Sequence, residues 1–469
     1  MRLLVTVLSL LAVETSASRP HRYEKLVERD VVIVGGGSSG TYAAVRLLDE
    51  DVSVVVLEKE DHLGGHTVTY TDPDTHQPFN LGVIIYHESE IVRNYFGRFG
   101  VALKKSADFN GGSLYYDFDT GRPVDYTPVS AQALGAVIQR YAQLISTKYP
   151  YLSLGYDLPD PVPKELLEPY SEFIKKNGFE DLVQFVNNIG SNAGDLLKRP
   201  TLYGIKLFSP LLIKAAADGF INAASGDNRD LYRGAQKLLK KQDSVLYKST
   251  ITKIRRSADG VMVWIDTPGQ KVLVKAKKLV FAIPPLKKNL QKVGLDLTSK
   301  ESKLFAKFTG FLYGSAVFTH SGFDATKSFT NVGTNTPYHL LRLPGSFTYG
   351  PLIGKVATNK ISTYYGGLDP TLSEKQIKNI IEDQLCNLEE QGAIGPGEPH
   401  FKYFGNHSPY HMHVSKKDVE EGFYKNVYAL EGQHNTFWTG AAFVDNDSTL
   451  LWTWTEAYLL PRILASLKK

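Results

Sequence analysis

The chain has 469 residues, more than one hydrophobic core usually holds, so two or more domains are expected. Hydrophobic residues make up 42% and charged residues 22%, which excludes a disordered, coiled-coil or fibrous protein. The 53 basic and 49 acidic residues give a formal net charge of +4, and the lysines stand in ones and twos, such as Lys240-Lys241 and Lys277-Lys278, without the basic stripe that nucleic-acid binding needs.

In chain order, Met1-Arg2, an apolar run from Leu3 to Val13 and the small residues Ser16-Ala17-Ser18 predict a cleaved signal peptide over 1–18, and so a route to the secretory pathway. The run is shorter than the roughly 20 residues of a spanning helix, and no transmembrane segment is expected. Asp30 to Val34 reads as a strand buried on both faces, ended by Gly35. A helix from about Ser38 to Leu48 and a second strand from Val52 to Leu57, closed by Glu58, complete one βαβ unit. Ser130 to Ser146 has the apolar spacing of an amphipathic helix, within a mainly helical stretch from about 128 to 224. Strands are predicted at 249–255, 261–266, 272–274 and 279–283, the last before Pro284-Pro285. Further strands are predicted at 311–319, 351–358 and 361–366, then a helix from Thr371 to Glu390 with Thr371 and Glu374 spaced as a capping box. Cys386, the single cysteine, is expected to be buried beside Leu385 and Leu388, and no internal disulfide can form. A last helix, rich in Leu and Trp, spans about Thr449 to Leu467.

Chemistry enters with Gly35-x-Gly37-x-x-Gly40, placed where a strand ends and a helix begins. Gly35 makes the tight turn, Gly37 lets backbone amides approach a pyrophosphate, and Gly40 lets helix and strand pack closely. The helix N-terminus faces the phosphates, and Glu58 at the tip of the second strand can accept ribose hydroxyls. No carboxylate or cysteine accompanies His66, His407, His411 and His413 at metal spacing, so no metal is expected. Two sequons, at Asn406 and Asn446, would be exposed to the secretory pathway, and little use of Asn446 is expected between the Trp438 strand and the last helix.

Beyond Glu58, Leu63-Gly64-Gly65-His66-Thr67 resembles the second glycine motif of the flavin-containing amine oxidoreductase superfamily. Phe79-Asn80-Leu81-Gly82 resembles its segment passing the flavin ring, Tyr232-Arg233-Gly234 its glycine turn, Thr250-Ile251 its adenine-side strand, and Asn435 to Gly440 its strand before the final helix. The chain is similar to the fungal β-cyclopiazonate dehydrogenase-like subgroup and, second, to a bacterial polyunsaturated fatty acid isomerase. The resemblance implies an α/β fold: a Rossmann-like FAD-binding domain of the amine oxidase and glutathione reductase type with an inserted α+β substrate domain. The first would be assembled from 28–90, 225–290 and 405–469, the second from 91–224 and 291–404.

It also implies FAD, held without a covalent bond because no cysteine is suitably placed. Gly35, Gly37, Ser39, Gly40, Glu58, Gly64, Gly65, His66, Gly82, Val83, Ile251, Gly440, Leu450 and Leu451 would line it. The activity implied is removal of a hydride from an amine or indole-type C–H of a small secondary metabolite, with or without ring closure. The alternatives are isomerisation of an unsaturated fatty acid by transient hydride transfer, and flavin binding without turnover. For the isomerase, an arginine expected within Lys104 to Phe109 is replaced by Ser106 and Ala107. Phe318 stands in the place of the family's active-site lysine and Leu450 in that of a tyrosine, so no catalytic residue is assigned. Tyr410, Trp438, Trp452 and Phe318 are the candidates for the wall of a small-molecule pocket. Catalysis is expected to rest on positioning in a dry pocket, with the N-terminus of the helix near Thr449 stabilising charge on the reduced ring.

Overall fold

The computed structural model describes residues 23–106, 113–190, 192–352 and 358–468. The expected signal peptide lies outside the described residues, as does the stretch from Ala107 to Phe109.

The fold is built on two sheets. In the first, strand Lys25–Val34 buries its last four residues completely, as its apolar run requires. It runs parallel to Val54–Leu57 on one side and to Gln270–Phe281 on the other. Val245–Leu246 lies outside Val54–Leu57, in parallel. The hairpin strands Thr250–Ser257 and Gly260–Thr267 are antiparallel and join the first part of Gln270–Phe281. Thr436–Trp438 joins its last three residues in parallel, completing seven strands. Helix Ser38–Asp49 packs against this sheet, so the expected βαβ unit is present and Rossmann-like.

Several elements differ from the sequence reading, each for a physical reason. The strands expected at 272–274 and 279–283 are one, Gln270–Phe281, because the exposed Lys275 and Lys277 alternate with the buried Val274 and Ala276 along a continuous strand. The long helix begins at Glu374 rather than Thr371: Ser373 and Gln376 form the capping box, while Thr371 bonds to Asp369 instead. On that helix Ile377, Ile381, Leu385 and Leu388 form the buried stripe, and Cys386 falls off it and is exposed rather than buried. The final helix is interrupted, running over Ser448–Trp454, a wider π turn at Thr455–Leu459, and Leu460–Leu467. Pro461 has no N–H to continue the ladder there.

The second sheet has eight strands. Its central strand, Thr309–Thr319, lies between Ile361–Gly367 and His400–Asn406, and its first part also pairs with Tyr410–His413. Gly345–Pro351 follows Ile361–Gly367, so the strand expected at 351–358 lies earlier in the chain. Residues 353–357 are outside the described set. Helix Glu374–Glu390 covers one face of this sheet. The expected helical stretch opens with Ala131–Lys148, capped by Ser130, which accepts from the Ala133 N–H at 3.2 Å. It goes on through Tyr170–Asn177, Thr201–Leu207 and Pro210–Asp218. No helix among the described residues is long and apolar enough to cross a membrane.

One buried ion cluster ties the hairpin of the first sheet to the chain leaving it. The Arg256 side chain is 2% exposed and donates to Asp296 at 2.8 Å and to Glu301 at 2.7 Å. Glu301 also closes the capping box begun by Thr298. Removing one partner strands a buried charge, so Glu301→Ala is expected to lower stability by about 3 kcal/mol. Urea denaturation followed by circular dichroism measures this, and a loss below about 1 kcal/mol, the scale of a surface pair, would show that the cluster is hydrated.

Candidate active site

At the carboxyl ends of the first sheet the chain turns tightly at Gly35 and enters helix Ser38–Asp49. A Cβ on Gly40 would lie 2.0 Å from the Gly35 carbonyl oxygen, so helix and turn approach only because both residues are glycine. A Cβ on Gly37, by contrast, would meet nothing nearer than the Gly65 Cα at 3.8 Å. The fold itself therefore has room for a side chain at Gly37. Glu58, at the end of Val54–Leu57, accepts from the Gly36 N–H at 2.7 Å and the Glu60 N–H at 2.9 Å.

Gly65 faces Gly37 across the turn while Gly64 faces the Tyr232 ring, and the Ser249 N–H donates to the Glu58 carbonyl, which brings the start of the Thr250 strand, with Ile251, to the same edge. The segment expected beside a flavin ring lies against the second glycine motif: the Leu81 N–H donates to the Val68 carbonyl and the Val83 N–H to the His66 carbonyl. A Cβ on Gly82 would lie 1.7 Å from the His66 carbonyl oxygen. Gly440 follows strand Thr436–Trp438 at the same edge, and Ser39 is buried in the first turn of the glycine helix.

Between these pieces lie polar groups in want of partners. The hydroxyls of Thr67, Tyr86 and Tyr232 are buried without a hydrogen bond of good geometry, though close enough to one another to interact electrostatically. Ser38 and Ser448 meet at 2.9 Å beside them, and the Trp452 indole N–H donates to the Ser38 hydroxyl at 3.0 Å. Buried hydroxyls short of well-aligned partners, beside a helix N-terminus and the open position at Gly37, fit the phosphates of a dinucleotide such as FAD.

The start of helix Ser448–Trp454 differs from expectation. The Leu450 N–H donates to the Asp447 carboxylate at 2.9 Å, and the Leu451 N–H to the Asp447 carbonyl at 3.0 Å. The positive end of this helix is therefore capped from within by an anion, which is itself paired with His87 Nε2 at 2.9 Å. Burial would lower the His87 pKa, but Asp447 outweighs it and raises it.

Beyond the glycine motifs lies a chamber of rings. His66 and His407 are 4.8 Å apart, edge to face, and Tyr313 and Tyr410 stack at 4.4 Å. Tyr410 also touches His411 at 4.5 Å. Burial pulls the pKa of His66 and His413 down to about 4 and that of His407 and His411 down to about 3, so all four are neutral at physiological pH. His411 donates from Nε2 to the Gly190 carbonyl at 2.6 Å, and its Nδ1 accepts from the Asn446 side-chain amide at 2.9 Å. His407 Nε2 is buried without a partner.

Next to this cluster Tyr156, Arg199, Tyr203, Lys206, His411 and Asp445 line a narrow cleft, open to solvent on one side, whose enclosed volume of about 10 Å3 holds one water-sized group. Asp445 and Lys206 are 3.8 Å apart. Burial outweighs their attraction, pushing the Asp445 carboxyl up to about 6 and pulling the Lys206 ammonium down.

Of the four expected wall residues, Tyr410 joins this chamber. Trp438 stacks on Phe281 at 4.8 Å in the core of the first sheet, and Trp452 packs among Tyr42, Tyr86 and Tyr95. Phe318 faces helix Glu374–Glu390 with Tyr349 and Phe401. Side chains alternate along a strand, and Ser315, which bonds to the Leu81 carbonyl at 3.1 Å, shows that Tyr313, Ser315 and Val317 face the glycine motifs. Sequence reasoning missed Arg199, Lys206, Asp445 and the His87–Asp447 pair. Only the last carried a signal, an aspartate immediately before a helix start.

Residues 33–99 match the family model for an NAD(P)-binding Rossmann-like domain. An FAD-dependent oxidoreductase of Colletotrichum higginsianum is 34% identical, with 93% of each chain covered. A β-cyclopiazonate dehydrogenase of Aspergillus flavus is 34% identical, with 92% of each covered. Among solved structures, the CLA-producing fatty acid isomerase from P. acnes superposes with a TM-score of 0.73 at 20% identity, covering 92% of this chain and 98% of that one. Wild-type putrescine oxidase bound to putrescine gives 0.64 at 15% identity, covering 93% and 100%. At these identities the structural matches establish the fold alone.

The open space at Gly37 separates folding from cofactor binding. Gly37→Ala is expected to fold with an unchanged melting temperature in the flavin-free state, since its φ of −72° suits any residue, yet to purify without flavin. Gly40→Ala is expected to fail in folding. Absorbance near 450 nm and thermal melts read the two effects, and a fully yellow Gly37→Ala protein would contradict the cradle.

Proposed function

This chain belongs to the family of FAD-dependent oxidoreductases that includes β-cyclopiazonate dehydrogenase, and on that footing we propose that it takes a hydride from a C–H bond beside nitrogen, in an amine or indole-type unit of a small secondary metabolite, with or without ring closure. When bound, FAD supplies the two-electron acceptor. The residues of the glycine turns, Glu58 and the hydroxyls of Thr67, Tyr86 and Tyr232 would hold it.

The observation that carries this reading is Asp445, a buried carboxyl poised near pH 6 in a cleft it shares with Lys206, Arg199 and the rings of Tyr156, Tyr203 and His411. Loss of a hydride beside nitrogen leaves a proton on that nitrogen far more acidic than before. A carboxylate of this basicity accepts it at neutral pH, which the neutral histidines, with pKa values of about 3 and 4, do poorly. Tyr313 and Tyr410 give flat surfaces for an aromatic substrate, and burial holds the Tyr410 phenol protonated.

Two outcomes are expected. With a substrate found by anaerobic screening for flavin bleaching, deuterium at the oxidised carbon slows bleaching severalfold; no isotope effect in a single-turnover experiment would exclude C–H cleavage as the slow step. In the steady state kcat/KM rises with pH through about 6, as Asp445 loses its proton, and then levels. Asp445→Asn is expected to lower kcat/KM by about a hundredfold and to flatten that rise, with flavin content unchanged. A variant that keeps the wild-type pH profile would remove Asp445 from the chemistry.

A further inference from the structure

Arg199 is 7% exposed and makes no direct ion pair, although Asp445 in the same cleft attracts its charge from beyond ion-pair distance. One guanidinium nitrogen donates to the Ala193 carbonyl at 2.8 Å, and Nε, also buried, has no hydrogen-bond partner. The guanidinium lies over the Phe311 ring at 5.0 Å and the Tyr203 ring at 5.2 Å. No carboxylate among the described residues comes within ion-pair distance of it. Lys206, the other cation of the cavity, already has Asp445 at 3.8 Å, the Leu152 carbonyl at 3.3 Å and the Tyr156 ring at 5.2 Å. Asp447 is likewise spent on His87.

A buried cation without a directly paired counter-charge is costly, and an arginine cannot escape the cost by giving up its proton near neutrality. Burial lowers its pKa only to about 10, so it stays charged. The cheapest relief is an anion brought from outside. The guanidinium fork suits two oxygens in one plane.

Resting on the proposed cavity, we propose that Arg199 is the subsite for an anionic oxygen of the substrate, a carboxylate, which anchors the molecule so that its oxidisable carbon lies toward the rings of Tyr313 and Tyr410. The substrate is then an acid as well as a carrier of the reacting C–H. Arg199 thereby sets specificity, and a neutral or cationic analogue of the same shape is rejected because it leaves the guanidinium unpaired.

The test uses the flavin-loaded protein and three probes that share one ring and differ in head group: benzoate, benzamide and benzylamine. Binding is followed by calorimetry and, in parallel, by perturbation of the flavin spectrum. Benzoate is expected to bind at least about tenfold more tightly than the other two, as a charge-assisted hydrogen bond implies. Arg199→Gln is expected to erase that margin and Arg199→Lys to keep part of it. Equal binding of benzoate and benzamide, no benzoate binding, or an unchanged margin in a folded Arg199→Gln protein overturns the subsite. If Arg199→Gln does not fold, the wild-type margin and its reduction in Arg199→Lys decide. Calorimetric binding of benzoate with its margin intact but no change in the flavin spectrum supports the anion site and instead overturns the placement of this cavity beside the cofactor.

Discussion

The parallel pairing of Lys25–Val34 with Gln270–Phe281 decides where the chemistry of this protein is assembled. In this register Val34 stands beside both Leu57 and Phe281, and Phe281 beside Trp438. Four strand ends from distant parts of the chain therefore stop at one level. From these ends emerge the Gly35 turn, Glu58, the Ala282 segment and Gly440. Ligands of open α/β sheets sit beyond these carboxyl ends, where outgoing loops can close around them. Joining strands this far apart costs loop-closure entropy that grows only slowly with length. Burial of Val31 to Val34, Val54 to Leu57 and Leu279 to Phe281 offsets it.

The glycine turn and its βαβ unit were legible because steric demand there falls on single residues. No side chain fits at Gly40, so the sequence has no choice but to show it. The substrate-side sheet was less legible. Phe318 illustrates the limit: likeness to a family motif gave its position along the strand, while the face it presents is set by pairing and by the Ser315 bond to Leu81. The tryptophans fail for a related reason, since an aromatic residue that walls a pocket and one that fills a core are identical in sequence. Trp438 and Trp452 fill the core here. For Thr371, two hydroxyl residues two apart could each have capped the helix, and Asp369 engaged Thr371 first.

The charged groups of the cavity were almost invisible. Arg199 and Lys206, on one short stretch, and Asp445, far along the chain, belong to no motif, and in composition they look like ordinary surface charges, as does His87. Only the fold removes them from water. That removal gives them their chemistry, because burial is the largest contributor to the shifts of Asp445, Lys206 and Arg199 alike. The same dryness silences the four nearby histidines. Residue type alone would have chosen a histidine as the base; the environment favours the aspartate.

The charge balance of this region also changes the part played by the last helix. A free helix N-terminus would offer about half a positive charge to any developing anion. Here Asp447 occupies that end, and His87 in turn neutralises Asp447, so the helix start is balanced within itself. Asp445 and Lys206 form a second balanced pair, each drawn toward neutrality by burial. What remains is the single positive charge of Arg199, in a setting where screening is weak. A buried cation without a direct ion pair favours whichever bound state carries more negative charge. The electrostatic bias that the sequence assigns to a helix end therefore passes, in the folded protein, to one buried side chain.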